Sequence, residues 1–150
     1  MTINYTNDTE QIIRLWQEAF GDSREDIIFF VNNAKNTKCL ACFDGEIMMS
    51  MMFLVQCSIK GKNGLYVYAA CTDKRFRGQG CMSALLKYAK DYTDGFVCLI
   101  PADKALIDYY YPRGYTKSAD TKDLQFEQCD EIKEYLFEGC TLEEPFVMIN

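Results

Sequence analysis

Apolar residues along this chain recur first at a helical period and then at a strand period. A short strand around Thr2–Tyr5 leads into a segment from Thr9 to Phe20, where Ile12, Ile13, Leu15, Trp16 and Phe20 fall on one helical face. Gly21 stops that helix, and Asp22 or Ser23 can cap a second one carrying Ile27, Ile28, Phe30 and Val31. Two strands follow at Lys38–Phe43 and Glu46–Ile59, turned by Asp44-Gly45, a strong hairpin signal. The turn Lys60-Gly61-Lys62-Asn63-Gly64 then leads to a strand over Leu65–Thr72. Further on, the pattern predicts a helix over Met82–Lys90, a buried strand over Gly95–Ile100 and a helix over Ala102–Tyr111. A strand near Gly114–Lys117, a helix over Cys129–Phe137 and a last strand over Pro145–Asn150 complete the chain. A hairpin block followed by βαβα units implies a mixed sheet with helices on both faces. With no repeat, linker or low-complexity tract, the expectation is one domain over residues 1–150.

Composition narrows the classes. The 49% hydrophobic and 25% charged fractions are ordinary for a soluble globular protein. A formal charge of −6 argues against nucleic-acid binding, which wants a basic face. The N-terminal stretch lacks the basic start and apolar core of a signal peptide, and no apolar run reaches membrane-spanning length. A cytoplasmic protein without membrane contact is expected, as a monomer or homodimer. There are eight cysteines and no histidine. Most of the cysteines sit in apolar runs and read as reduced, buried packing residues. Cys39 and Cys42 form a lone C-x-x-C pair with no partner pair at zinc spacing, so no metal is expected. Lack of histidine excludes Ser-His and Cys-His pairs, leaving proton transfer to a carboxylate, tyrosine, lysine, cysteine or water.

The stretch Arg77-Gly78-Gln79-Gly80-Cys81-Met82-Ser83 lies between the Leu65–Thr72 strand and the helix that follows. A glycine-rich turn at a helix start leaves backbone N–H groups unpaired, and the helix dipole adds partial positive charge there, which suits a phosphate. No Gly-Lys-Ser/Thr follows, so this is no Walker A loop, and two glycines after three hairpin strands do not make a dinucleotide fingerprint.

The run from Tyr66 to Gly80 resembles the acetyl-CoA-binding motif of the GNAT N-acetyltransferases, Q/R-x-x-G-x-G/A after a strand and an aromatic-Arg-Gly approach. Arg77, Gly80 and Met82 take the fixed positions in one register, with Met82 replacing Gly or Ala. Arg75, Gly78 and Gly80 take them in another. Downstream, Leu99 to Asp103 and Ile107 to Tyr115 resemble the family's strand, helix and Tyr-x-x-x-Gly-Phe ending, with Tyr110 at the tyrosine position and Tyr115 for Phe. Asp103 stands where the family often has a cofactor-holding Asn. The resemblance runs from the first helix to Lys117 and fades beyond Ser118.

The resemblance implies the GNAT fold, a mostly antiparallel mixed sheet of six to seven strands flanked by helices. Two parallel strands, Leu65–Thr72 and Gly95–Ile100, would splay to admit acetyl-CoA as cosubstrate. Backbone N–H groups of Arg77, Gly78, Gln79, Gly80, Cys81, Met82 and Ser83 would cradle the pyrophosphate. Backbone groups near Ala69 and Cys71 would pair with the pantetheine arm, and one N–H would polarise the thioester carbonyl. Tyr110 would protonate the departing thiolate. The acceptor would be a primary amine on a small molecule or peptide, attacking directly in a ternary complex. The alternative is a non-catalytic acyl-CoA-binding module on the same fold. Asp73, Glu46 and the Asn150 terminal carboxylate are candidates for the base, and none is assigned. Trp16, Phe20, Phe29 and Phe30, with the run Met48, Met49, Met51 and Met52, mark the acceptor region; those methionines either line an apolar pocket or fill the core.

Overall fold

In the computed structural model, which covers residues 1–150, the chain runs β1 (Thr2–Thr6), α1 (Thr9–Phe20), α2 (Arg24–Asn33), β2 (Thr37–Asp44), β3 (Ile47–Ile59) and β4 (Lys62–Thr72). It continues through α3 (Cys81–Asp91), β5 (Phe96–Leu99), α4 (Lys104–Tyr110), β6 (Lys117–Ala119), β7 (Leu124–Gln125), α5 (Asp130–Phe137) and β8 (Val147–Ile149). The sheet has eight strands in the order β1-β2-β3-β4-β5-β8-β6, with β7 pairing the end of β3. Every pairing is antiparallel except β4 with β5. The eighth strand, absent from the sequence reading, is two residues long, too short for any alternation to register.

Local signals account for most boundaries. Asp8 accepts from the Gln11 N–H at 3.3 Å to start α1, and Gly21, in a left-handed conformation, ends it. Ser23 accepts from the Asp26 N–H at 3.1 Å to start α2. β4 starts at Lys62, earlier than the pattern suggests, because the hairpin turn is only Lys60-Gly61, both at positive φ. β6 starts late, at Lys117, because the chain first makes a 3-10 turn over Tyr111–Arg113 and draws Tyr115 into the core.

Strand β3 is buried on both faces, and its methionines divide between them. Met48 and Met51 pack toward α1, α2 and α5, while Met49 and Met52 pack toward α3. They fill the core. Cys39 and Cys42 part in the same way, one into each layer, so they cannot share a metal ion. Trp16 anchors the first layer, with its ring 5.5 Å from Phe30, 5.6 Å from Phe53 and 5.6 Å from Tyr68. No helix is long and apolar enough to cross a membrane.

The Tyr115 hydroxyl is buried with no hydrogen-bond partner. A polar group stranded in this way costs on the order of 1–3 kcal/mol. Tyr115→Phe keeps the ring's packing against Tyr110 (centroids 5.8 Å apart) and removes the stranded oxygen. A gain of about 1 kcal/mol, read as a Tm rise of about 2–4 °C, is expected by calorimetry. A drop in Tm would show that the hydroxyl is satisfied.

Candidate active site

β4 and β5 pair in parallel only at Gly64, Leu65 and Tyr66, opposite Phe96, Val97 and Cys98. Beyond that point they separate, because β5 ends at Leu99 while β4 runs on to Thr72. On the other side of β4, Tyr68 pairs with Phe53 and Cys71 with Met51, so Ala69 and Ala70 together face Met52. This bulge puts Ala69 at φ 52°, a conformation a residue with a Cβ adopts at a cost of about 1 kcal/mol or more. Strain of that kind is retained where the backbone must be re-aimed, and here it falls at residues that line the gap between the strands. The gap is a cleft of about 280 Å³, lined mainly by apolar and aromatic residues that include Val67, Ala69, Ala70, Leu106 and Tyr110.

Tyr110 is 7% exposed, and no protein group hydrogen-bonds its hydroxyl. Burial first, then the neighbouring Tyr109, pushes its phenol up to about 12, with Arg113 pulling the other way. It is therefore a protonated donor throughout the neutral range. Burial also pushes the Cys71 thiol up to about 12, so it stays a neutral packing group. Cys71 is turned into the core and does not line the cleft, and its carbonyl accepts from the Ser50 hydroxyl at 3.0 Å.

The Arg77–Ser83 segment lies outside the cleft, on the surface where α3 begins. Gly78 (φ 77°) and Gly80 (φ 82°) are both left-handed. The first bond inside α3 runs from the Ala84 N–H to the Gly80 carbonyl at 3.0 Å, and no side chain caps the helix. The amides of Cys81, Met82 and Ser83 therefore have no acceptor within the helix and point out of its positive end. The side chains take other work. Cys81 is buried, Met82 packs against the α3 layer, and the Arg77 Nε donates to the Thr72 carbonyl at 3.1 Å. Arg113, which the sequence reading passed over, brings a cation to the same helix start. Its Nε donates to Ser83 Oγ at 3.1 Å, and its guanidinium sits 3.6 Å from the centre of the Tyr109 ring. Asp103 caps α4 through the Leu106 N–H at 2.9 Å, so its carboxylate is spent on the helix.

None of the candidate bases stands free at the cleft. Asp73 is 2% exposed, paired with Arg14 at 2.7 Å and Arg75 at 2.8 Å. Those guanidiniums, with Arg75 contributing most, hold its carboxyl well below the usual carboxylate range. It is a brace between α1 and the end of β4. Glu46 lies exposed in the β2–β3 turn, where its carbonyl accepts from Gln11. Asn150 pairs with Val97, at the end of β5 away from the cleft. Because the folded carboxyl of Asp73 is depressed, its contribution to stability is complete above the ordinary value near 4. That contribution drains away below this value, as the unfolded chain takes up the proton first. Asp73→Asn is expected to lower the urea midpoint at pH 7 and to flatten its fall between about pH 4 and pH 2. Parallel acid limbs in the two proteins would refute this.

The segment after Ser118 completes the cleft. The Tyr66 hydroxyl donates to the Leu136 carbonyl at 2.7 Å, and the Thr141 N–H donates to the Ala102 carbonyl at 2.8 Å. These bonds bring Glu138, Gly139 and Cys140 into the lining of the cleft together with Trp16, Phe20 and Asp22. Trp16 and Phe20 thus reach the cleft, whereas Phe30 is wholly in the core and Phe29 stacks on Tyr135.

This arrangement has relatives. The family model described as Acetyltransferase (GNAT) domain matches residues 4–118, and the chain belongs to that family. An acetyltransferase of the GNAT family from Staphylococcus aureus Mu50 superimposes with a TM-score of 0.61 at 14% identity, over 99% of this chain and 98% of that one. A glucosamine N-acetyltransferase region of a fungal multi-domain GH3 β-N-acetylglucosaminidase gives 0.67 at 13% identity, over 80% of this chain and 17% of that chain. An aminoglycoside acetyltransferase, meta-AAC0020, from an uncultured soil metagenomic sample gives 0.59 at 19% identity, over 77% and 88%. No curated protein matches the chain in sequence.

Proposed function

We propose that residues 1–150 form one N-acetyltransferase domain that moves the acetyl group of acetyl-CoA to a primary amine of a small molecule or peptide. The observation that carries this reading is the pairing of a strained bulge at Ala69 with the Tyr110 side chain, whose hydroxyl has no partner in the protein, in one cleft. The residues fit the cosubstrate. Free amides of Cys81, Met82 and Ser83 suit its pyrophosphate, with Arg77, Gly78, Gln79 and Gly80 forming the approach. Bulge backbone groups suit the pantetheine arm, and an N–H there suits the thioester oxygen. A neutral amine adds to the thioester carbon, the C–S bond breaks, and Tyr110 donates to the sulfur that leaves. The extra proton on the attacking nitrogen leaves the tetrahedral adduct for water as the neutral amide forms. Holding both reactants in the cleft supplies much of the acceleration. Two of the similar structures are described as acting on glucosamine and as an aminoglycoside acetyltransferase, which favours an amine acceptor. Six buried free thiols fit a reducing compartment such as the cytoplasm.

The test is CoA release by the purified protein supplied with acetyl-CoA and an amine panel, alongside thermal shift with acetyl-CoA and CoA. Turnover with any amine supports the enzyme. Stabilisation by both cofactor forms without turnover would leave the acyl-CoA-binding module. Stabilisation by neither would overturn both.

A further inference from the structure

Of the residues lining the cleft, only Asp22 and Glu138 carry charge, and both are negative. Each follows directly on the C-terminal end of a helix. Asp22 comes one residue after the Gly21 cap of α1, and Glu138 is itself the cap of α5. Neither helix has a basic residue in its last turn, so both present an uncompensated negative dipole end near the same cleft. The Asp22 carboxylate is fixed in place by the Trp16 Nε1–H, which donates to it at 2.7 Å. Trp16 and Tyr68 line the cleft beside it, and aromatic faces favour cations. Burial foremost, and then Asp22 and Glu138, raise the Tyr68 phenol; burial, then Asp26, and after it Glu138 and Asp22 raise that of Tyr135. No cation offsets them at either ring. Tyr110 also lines the cleft, and its hydroxyl has no partner in the protein.

We infer that the acceptor is a dication, an amine whose second ammonium group is held at the cleft rim by Asp22 and Glu138 while its first amine reaches the bulge at Ala69. This rests on the acetyltransferase reading and names its substrate class. Asp22 lies within residues 4–118 and Glu138 beyond them, so the pair is completed only by this chain's tail. The negative rim also disfavours an acceptor carrying a carboxylate at the same distance.

The experiment compares α,ω-diamines of three to six carbons with n-alkylamines and ω-amino acids of matched length, in the presence of acetyl-CoA. The best diamine is expected to exceed its matched monoamine by about tenfold in kcat/KM, from two rim ion pairs, with the amino acid last. In Asp22→Asn/Glu138→Gln that ratio falls toward one, the change lying in the diamine's KM and not in kcat, and it shrinks with added salt in the parent. Glu138→Asp keeps most of the preference. Turnover of monoamines as efficiently as diamines would overturn the inference and leave the acetyltransferase standing. Failure to bind acetyl-CoA would overturn both. A preference that survives the double substitution would overturn the assignment to these two carboxylates.

Discussion

Tyr110→Phe is expected to lower kcat about a hundredfold while the Kd for acetyl-CoA stays within about twofold. Only the hydroxyl is lost, and the ring still packs against Tyr109 and Tyr115, so the fold has no reason to change. The size of the effect follows from what the hydroxyl can do. Burial pushes it up to about 12, whereas a leaving thiol has an ordinary value near 8.5. Complete proton transfer to the thiolate would then be uphill by about 5 kcal/mol. Tyr110 therefore acts chiefly as a hydrogen-bond donor to charge developing on sulfur, and losing one such donor in a water-poor cleft costs about a hundredfold. The same high value fixes the pH dependence. Activity should rise with pH as the acceptor ammonium loses its proton, and Tyr110 should impose no fall until well above pH 10. Steady-state kinetics at saturating acceptor from pH 6 to 10 would check both. A kcat within threefold of the parent across that range would remove Tyr110 from the chemistry. Tyr115→Phe is the matched control, because its hydroxyl is buried away from the cleft and its loss should leave kcat alone.

The fold was legible where one signal acted alone. Gly21, a cap at Asp22 or Ser23 and the 3.6-residue stripe of α1 marked the first helices, and Asp44-Gly45 marked the β2–β3 hairpin. β3 was harder to read for its site role. With both faces buried it shows no alternation, so the methionines could have been pocket or core until α1 and α3 were seen to cover opposite sides. The glycine turn stood out because helix-start amides are local, and Tyr110 because the spacing to Gly114 resembles the family's Tyr-x-x-x-Gly-Phe ending. The proposed acceptor end did not. It is assembled from residues more than a hundred positions apart, Asp22 and Glu138, by a tail whose docking depends on Tyr66 reaching the Leu136 carbonyl and on Thr141 pairing with Ala102. No periodicity records such long-range bonds. Arg113 escaped for a related reason, since only the return of the chain after α4 sets its guanidinium beside Ser83. Asp73 shows the opposite case. It looked available in the sequence, beside the cofactor strand, and two arginines from different elements hold it as a structural anion.

The pyrophosphate cradle can be separated from the rest of the site by one substitution. Gly80→Asp is expected to weaken acetyl-CoA binding about a hundredfold while moving Tm by no more than about 4 °C. A Cβ at Gly80 meets no atom within 4 Å, so the free protein has room for a side chain. The conformation at φ 82° is a strain for most residues, but Asp and Asn tolerate it best. Set before the unpaired amides of Cys81, Met82 and Ser83, the new carboxylate would also act as the cap that α3 lacks, which offsets part of that strain. Those same amides are the ones proposed to bind phosphate, and the carboxylate would both occupy them and repel the incoming charge. Affinity and stability should therefore part company. Acetyl-pantetheine, which has the thioester arm without the pyrophosphate, supplies the internal comparison and should lose less than about threefold, because the cleft between β4 and β5 is untouched. Isothermal titration with both compounds would measure the difference. Equal losses for the two would mean that Gly80 shapes the cleft itself, and no loss for either would mean that the phosphates bind elsewhere.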